Sequence, residues 1–124
     1  MDLFGPLLHC LLRKRMIKTY LGKITEAEFG LITDYPFLMG LKLEFQFDGC
    51  CCVGDGGMYT INMSDECKWE TRDRREAIEE QADKVYQLLN DAKCLNVSNL
   101  KGKPVQITLK DNTFESFRIL TEVL

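Results

Sequence analysis

The segment FLMGLKLEFQF, residues 37–47, alternates apolar and polar side chains more regularly than any other part of this chain. In an extended backbone successive side chains point to opposite faces, so this pattern predicts a strand with one buried face. Asp48-Gly49 follows directly and predicts a two-residue hairpin turn. The return strand then contains Cys50-Cys51-Cys52, and we interpret these adjacent cysteines as part of a sheet. The buried face is predicted to comprise Leu41, Leu43, Phe45 and Phe47.

Further strands are predicted before and after this hairpin. IKTYLGKITEAEF (17–29) carries Ile, Thr, Tyr and Phe with a loose alternation that favours a strand. Gly54-Asp55-Gly56-Gly57 interrupts the cysteine-bearing strand as a turn or bulge, after which a short strand resumes. Near the end of the chain, Asp111-Asn112 joins the alternating segments 104–110 and 113–124. Because Asp and Asn tolerate a left-handed backbone, this junction predicts a tight C-terminal β-hairpin.

Residues 72–92 form the segment with the clearest helical periodicity. Apolar residues recur at helical spacing, while acidic and basic residues occupy the opposite face. Runs of strands combined with a single helix are typical of α+β folds. The sequence therefore predicts an α+β domain: an antiparallel sheet of about five strands with one amphipathic helix packed on it and a C-terminal β-hairpin. The helical residues predicted to face the sheet are Ile78, Ala82, Val85, Tyr86 and Leu89.

The first fifteen residues differ in character from the rest. An apolar run, Leu3 to Leu12, precedes Arg13-Lys14-Arg15, which reverses the order found in a secretory signal peptide. We therefore interpret residues 1–15 as an upstream extension or a disordered tail, and residues 16–124 as a single domain. The sequence contains no apolar run of the ~18 residues that a transmembrane helix needs, so we expect no membrane partner. Because we interpret the cysteines as reduced thiols, we expect a cytoplasmic protein.

The charge balance weighs against a general binder of nucleic acids. The chain of 124 residues carries a formal net charge of −3. Residues 1–15 hold three basic residues and Asp2, a net charge of +2, so residues 16–124 carry −5. Proteins that bind phosphate backbones need clustered Lys and Arg side chains. The only histidine, His9, also precedes the predicted domain, which therefore lacks the commonest catalytic base and metal ligand.

Six cysteines are many for this length, and three of them are contiguous. A disulfide framework spreads its cysteines over loops, so we interpret them as reduced thiols. A zinc site built on Cys50, Cys52 and Cys67 is an alternative, but structural zinc needs four Cys or His ligands at suitable spacing. Small thiols packed in a sheet explain the same residues without a metal. Cys67, beside Lys68, is the best candidate for a reactive thiol, and the sequence predicts no catalytic residue and no cofactor.

Candidate binding residues lie in turns and in the loop before the helix. Aromatic and arginine side chains are enriched in binding hot spots, so Trp69 and the three following arginines could form one contact patch; alternatively, Trp69 covers the core below the helix start. Tyr35 belongs to a Tyr-Pro-Phe turn, and Asp55 to the tip of the glycine-rich turn. That turn resembles a backbone anion nest but matches no phosphate-loop motif. The predicted binding residues are Trp69, Arg72, Arg74, Arg75, Tyr35 and Asp55.

Four segments of the chain resemble small phage and prophage accessory proteins. They are the leading strand Ile17–Gly22, the return strand Gly56-Gly57-Met58-Tyr59, the helix end Leu88-Leu89 and VSNLKGKPV at 97–105. Met58 departs from the pattern, because it separates the glycines from the aromatic residue. The resemblance covers about residues 16–124. It implies a mobile-element origin and a small non-catalytic role, of which counter-defence inhibition is one class.

Three functions are compatible with the sequence. The first is a non-enzymatic, phage- or prophage-encoded binding protein that occupies a host protein, such as a CRISPR-Cas or other immune effector, or sequesters a ligand. The second is a single-stranded nucleic-acid-binding accessory protein. The third is a metal-binding protein or small enzyme built on the cysteines. A homodimer through an edge strand at 113–124 fits all three. For the second function, bases would stack on Phe45, Phe47 and Tyr59, and phosphates would contact Arg72, Arg74, Arg75, Lys101 and Lys103.

Overall fold

A computed structural model of the chain describes residues 16–64 and 71–124, without the side chains of residues 71 and 72. The predicted tail at 1–15 and the residues Cys67 and Trp69 therefore lie outside the described residues. Within them, an antiparallel sheet and one helix confirm the predicted α+β class. The elements are β1 (Ile17–Ile32), β2 (Tyr35–Phe47), β3 (Cys51–Gly54), β4 (Thr60–Asn62), helix α1 (Thr71–Asp91), a 3-10 helix (Val97–Leu100), β5 (Pro104–Lys110), β6 (Thr113–Ile119) and a second 3-10 helix (Thr121–Val123).

The described sheet has six strands rather than about five. Five of them follow the order β3-β2-β1-β5-β6, and β4 pairs with another part of β2. Residues 44–47 of β2 pair with β3, whereas residues 38–40 pair with β4. The glycine-rich turn leaves the edge of β2 between these two pairings, so it divides the predicted return strand into two short ones.

Strand β1 is shared between the two parts of the sheet. Residues 17–23 pair with β5, and residues 22–32 pair with β2. Gly22 belongs to both ladders, and a Cβ atom at this position would lie only 2.3 Å from the carbonyl oxygen of Gln46. Because that distance is far below van der Waals contact, the position at which β1 pairs with both neighbours requires glycine.

The buried face predicted for β2 is confirmed. Leu41, Leu43 and Phe45 are completely buried, and Phe47 is nearly so. The Phe45 ring stacks on the Phe114 ring from β6, with 5.5 Å between their centroids. Side chains of the first part of the sheet thus pack directly against those of the C-terminal hairpin. The buried core comprises Ile24, Leu41, Leu43, Phe45, Phe47, Tyr59, Leu88, Ala92, Leu100, Val105, Ile107, Leu109 and Ile119.

The predicted C-terminal hairpin is also confirmed. Asp111 and Asn112 both adopt left-handed backbone conformations, with φ of 51° and 64°. A register shift in β6 leaves Glu115 without a partner in the ladder. This bulge resets the alternation, so that Phe114 and Phe117 both pack against the core despite their odd spacing.

The helix presents a different face to the sheet from the predicted one. Tyr86 is 71% exposed, and Ile78 and Ala82 are exposed as well. Gln81 and Leu88 are buried instead, while the predicted residues Val85 and Leu89 are half-buried. Polar contacts account for this orientation. The Gln81 side-chain amide donates hydrogen bonds to the backbone carbonyls of Met39 and Tyr59, which holds this face of the helix against the sheet.

In the described part of the chain, no helix combines the length and the apolar character that crossing a membrane requires.

Candidate functional site

The glycine-rich segment after β3 forms a tight turn, as predicted. Gly56 and Gly57 have φ of 66° and 76°, which glycine adopts without a steric cost. The Gly57 backbone N–H donates a 3.1 Å hydrogen bond to Oδ1 of Asp55. The Thr60 hydroxyl donates a 2.7 Å hydrogen bond to the Gly57 carbonyl. The side chains of Asp55 and Thr60 therefore hold this turn from both ends.

Asp55 is buried rather than placed at an exposed tip. Only 6% of its surface is exposed, because its backbone N–H donates a 3.2 Å hydrogen bond to the Leu43 carbonyl and ties the residue to β2. Its Oδ2 is buried and accepts no hydrogen bond from the described residues. Burial raises the pKa of this carboxyl, although the Gly57 N–H and the Lys42 charge act in the opposite direction. A buried carboxyl oxygen without a hydrogen bond lowers the stability of the folded chain.

Asp55 lines a cavity of about 330 Å³, and Tyr35 lines the same cavity. The sequence singled out both residues but gave no sign that they share a site. The cavity lies between the turn of the β1–β2 hairpin and the glycine-rich turn, and its volume matches the smaller ligand pockets of proteins. Besides the glycine-rich turn, its walls are formed by Ile32, Leu38 and Leu41, which are apolar, and by Asp34 and Lys42, which are charged.

Cys51 and Cys52 lie in the predicted return strand, whereas Cys50 lies in the turn before it, and none of the three is packed inside the sheet. The connection between β2 and β3 has three residues, 48–50, rather than two, and β3 begins at Cys51. Cys50, Cys51 and Cys52 are all exposed. Cys50 lies in a turn, and Cys51 and Cys52 belong to a four-residue strand that, among the described strands, pairs with β2 alone. The expectation of buried thiols is therefore wrong at these positions.

The surroundings of Cys51 disfavour a reactive thiol at this position. Local desolvation of the sulfur, together with the charges of Cys50 and Asp48, raises the pKa of the Cys51 thiol. A reactive cysteine needs the opposite shift. Among the residues that the structure describes, no three His, Cys, Asp or Glu side chains are placed to hold a metal ion. Cys67, the remaining ligand of the zinc alternative, lies outside that part.

The predicted patch of Trp69 and arginines is only partly described. The Arg74 guanidinium donates a 3.1 Å hydrogen bond to the Met63 carbonyl, so this side chain links the first turn of α1 to the end of β4. Arg75 is exposed. Since Trp69 and the Arg72 side chain fall outside the description, the patch as a whole stays a prediction.

The residues proposed to stack on nucleic-acid bases are inaccessible. Phe45 is completely buried, and Phe47 and Tyr59 are nearly so. Burial also raises the pKa of the Tyr59 phenol to about 12. Because stacking requires an exposed ring face, these three side chains cannot form the predicted platform, and the sheet-face mode of nucleic-acid binding loses its main support.

Large apolar side chains are exposed where the β1–β2 hairpin ends. We call Phe29, Leu31, Tyr35 and Phe37 the hairpin-end patch; they are 50, 66, 56 and 45% exposed. The rings of Tyr35 and Phe37 meet edge to face, with 6.1 Å between their centroids. Phe29 and Leu31 were not predicted as site residues. They lie on an extension of the hairpin that the sequence pattern did not delimit: β1 has 16 residues and β2 has 13, whereas an average strand has ~5–6 residues.

Comparisons with known proteins found no family model, no curated protein and no solved structure that matches this chain.

Proposed function

We propose that this chain is a non-enzymatic binding protein that contacts a partner protein through the hairpin-end patch. The observation that carries the proposal is the exposure of these four large apolar side chains within one stretch of nine residues. Apolar surface of this kind commonly marks interaction sites, and aromatic residues dominate binding hot spots. The likeness to phage accessory proteins would make the partner a host protein, such as an immune effector.

The position of the patch also supports a contact surface. Leu31 pairs across the hairpin with Met39, and Phe29 pairs with Leu41, so a two-stranded ladder fixes the backbone beneath the exposed side chains. A partner would therefore meet a surface that is already ordered, which reduces the entropic cost of association. The apolar rings can be desolvated on binding without breaking any hydrogen bond of the hairpin.

The test compares two double variants of the chain. In F29S/L31S the patch loses two of its apolar side chains. L21S/L95S is the matched control, because Leu21 and Leu95 are 70% and 96% exposed and lie outside the patch. Each tagged chain is mixed with lysate of a bacterial host, and the captured proteins are identified and quantified.

We expect the unchanged chain and L21S/L95S to retain the same host protein in a fixed molar ratio. F29S/L31S should retain at least about tenfold less, because two buried apolar contacts together contribute more than the ~1.4 kcal/mol that tenfold binding represents. Equal capture by all three chains, or no stoichiometric partner for any of them, would contradict the proposal.

A further inference from the structure

One edge of β1 carries an inference that rests on the proposed function and specifies how the partner is recognised. We propose that an extended segment of the partner protein adds to this edge as a further antiparallel strand. Its alternate side chains are apolar beside Phe29 and Leu31 and basic beside Glu26 and Glu28. In recognition of this kind, main-chain hydrogen bonds supply affinity and the alternate side chains supply specificity.

Strand β5 covers only the first part of β1. It pairs with residues 17–23, and the last hydrogen bonds on this side join Ile24 to Lys103 and Gly102, at 3.0 and 2.7 Å. Beyond Ile24, β1 pairs with β2 alone among the described strands. Within that part of the chain, one edge of β1 is therefore open from there to the end of the strand at Ile32.

The hydrogen bonds of β2 show which backbone groups point to this open edge. On the side of β2 away from β1, the Phe37 carbonyl accepts the Met63 N–H at 2.8 Å, and the Leu43 carbonyl accepts the Asp55 N–H at 3.2 Å. The N–H and C=O groups of successive residues in a strand alternate in direction. The even-numbered residues between Phe37 and Leu43 therefore turn these groups to β1.

Three residues of β1 present free backbone groups at the open edge. Two of the even-numbered residues of β2 pair with Glu28 and Gly30, whose own backbone groups consequently point to β2. The N–H and C=O groups of Ala27, Phe29 and Leu31 point the opposite way, and no described residue forms a hydrogen bond with them. Such a row of unpaired groups is a template for a further strand.

The two faces of this edge differ in chemistry. Phe29 and Leu31 share one face and are 50 and 66% exposed. Glu26 and Glu28 lie on the other face, where both are exposed, and neither forms an ion pair with a described residue. Because an added strand places successive side chains on opposite faces, this edge fits a segment in which apolar and basic residues alternate.

The charges nearby leave the open part of the edge acidic. Lys42 lies opposite Glu28 in the ladder, but its ammonium is 3.9 Å from a carboxylate oxygen of Glu44. Lys23 and Lys101 lie together at the covered end of β1. Basic side chains of an added strand are therefore attracted to the part of the edge beyond Ile24.

The same charges disfavour a second copy of this chain as the added strand. Antiparallel pairing of two copies about Phe29 would place their Glu28 side chains on one face as diagonal neighbours. Like charges at that spacing repel, whereas a basic segment would be attracted. The edge thus selects a different protein over a homodimer.

The probe for strand addition is the peptide acetyl-Lys-Val-Lys-Val-Lys-Val-amide, titrated into the full chain labelled with nitrogen-15. Hydrogen exchange of single amides is followed by NMR. In the free chain, the amides of Phe29 and Leu31 should exchange faster than those of Glu28 and Gly30, which bond to β2. Saturating peptide should slow Phe29 and Leu31 by about tenfold or more and leave Glu28 and Gly30 unchanged. No saturable binding, or slowing without this alternation, would overturn the proposal.

N-methylated peptides test whether main-chain hydrogen bonds hold the peptide. In antiparallel addition, a valine opposite Phe29 turns its N–H to β1, whereas the lysine N–H groups point away. N-methylation of the valines should weaken binding about tenfold or more, while N-methylation of the lysines should leave it nearly unchanged. Equal binding of the two methylated peptides would overturn the proposal.

Charge variants test the preference for a basic segment. E26Q/E28Q should bind the peptide at least about threefold more weakly than the original chain. E79Q/E80Q is the matched control, because it makes the same charge change at exposed positions of α1. Equal binding by both variants would contradict the proposed chemistry of the partner segment.

The outcomes separate this inference from the proposed function. A host protein captured through the hairpin-end patch, together with failure of the peptide to bind, would overturn strand addition and leave the proposed function standing. Peptide binding with the expected exchange pattern, but no captured host protein, would do the reverse. Slowing of Phe29 and Leu31 exchange with rising concentration of the chain alone would indicate a homodimer and overturn the proposal.

Discussion

The side-chain nitrogen of Gln81 lies 2.6 Å from the backbone carbonyl oxygen of Tyr59, and it also donates a 3.0 Å hydrogen bond to the Met39 carbonyl. One amide group of the helix thus satisfies two carbonyls from different segments of the chain. Gln81 is itself buried. This contact orients α1 on the sheet and explains why the most exposed side of the helix includes Tyr86.

We expect replacement of Gln81 by leucine to lower the free energy of unfolding by about 2–3 kcal/mol, because two carbonyls would lose their donor in a buried site. Gln87 is the control: its amide donates to Asp91 at the exposed surface, so Q87A should change stability by less than ~0.5 kcal/mol. Urea unfolding followed by circular dichroism measures both values. A Q81L chain as stable as the original would show that the amide does not position the helix.

Gly40 lies directly beneath this contact and should tolerate no side chain. A Cβ atom there would lie 2.1 Å from the Tyr59 carbonyl oxygen and 2.6 Å from the Gln81 nitrogen. G40A should therefore cost at least about 2 kcal/mol through overpacking. Gly54 has its nearest such contact at 3.9 Å, so G54A should fold with nearly unchanged stability. Thermal melting of the two variants tests the difference, and similar melting temperatures would argue against tight packing at Gly40.

Asp55 should make stability depend on pH in a defined direction. Burial raises its pKa, so the native chain binds this proton more tightly than the unfolded chain. The contribution of Asp55 to the free energy of unfolding is then most favourable below the ordinary Asp pKa of ~4 and declines as pH rises through the pKa of the native state.

Because asparagine cannot ionise, D55N should gain stability relative to the original chain as the pH rises above the ordinary Asp pKa of ~4. The asparagine side chain retains an oxygen for the Gly57 N–H, which keeps the turn intact. Urea unfolding at a series of pH values gives the difference between the two chains. The Lys42 charge lowers the pKa of Asp55, so K42M should extend the decline to higher pH. A difference that is constant across this range would mean that Asp55 titrates normally.

The four cysteines that the structure describes should differ in their reaction with iodoacetamide. Cys50, Cys51 and Cys52 are exposed, whereas Cys94 is half-buried and its Sγ lies 3.5 Å from the Ala92 carbonyl oxygen. In the native chain we expect alkylation of Cys50 and Cys52 to precede that of Cys94 by about tenfold or more, since alkylation requires access to the sulfur. The raised pKa of Cys51 should slow its alkylation relative to these two. Peptide mapping by mass spectrometry resolves the sites. Equal rates would contradict the exposed position of β3.

Local sequence patterns predicted much of the sheet because backbone geometry acts between neighbouring residues. The alternation through Phe45 located the buried face of β2, and Asp111-Asn112 located the C-terminal hairpin. The exposed position of Cys51 was not predictable in this way. Alternation assigns a residue to one face of a strand, but burial depends on which other strands and helices cover that face.

Long-range polar contacts account for the features that the sequence left unassigned. Gln81 has no apolar character, so helical periodicity did not include it among the residues that face the sheet. The burial of Asp55 was not predictable either, since a carboxylate in a glycine-rich turn is normally exposed. The partners that bury these two residues, Tyr59 and Leu43, can be identified only once the strands are paired. The cavity that joins Asp55 to Tyr35 is a product of the same pairing.

The sharing of β1 between two ladders also has a consequence for how the chain is made. On the ribosome, the hairpin of β1 and β2 can form early, whereas β5 emerges long after the segment of β1 with which it pairs. Until then Phe45 lacks the rings of Phe114 and Phe117 that cover it in the finished protein. Nascent chains that stop short of β5 would therefore expose an apolar sheet face that chaperones can bind. Release of the last segment would then complete the core in a single late step.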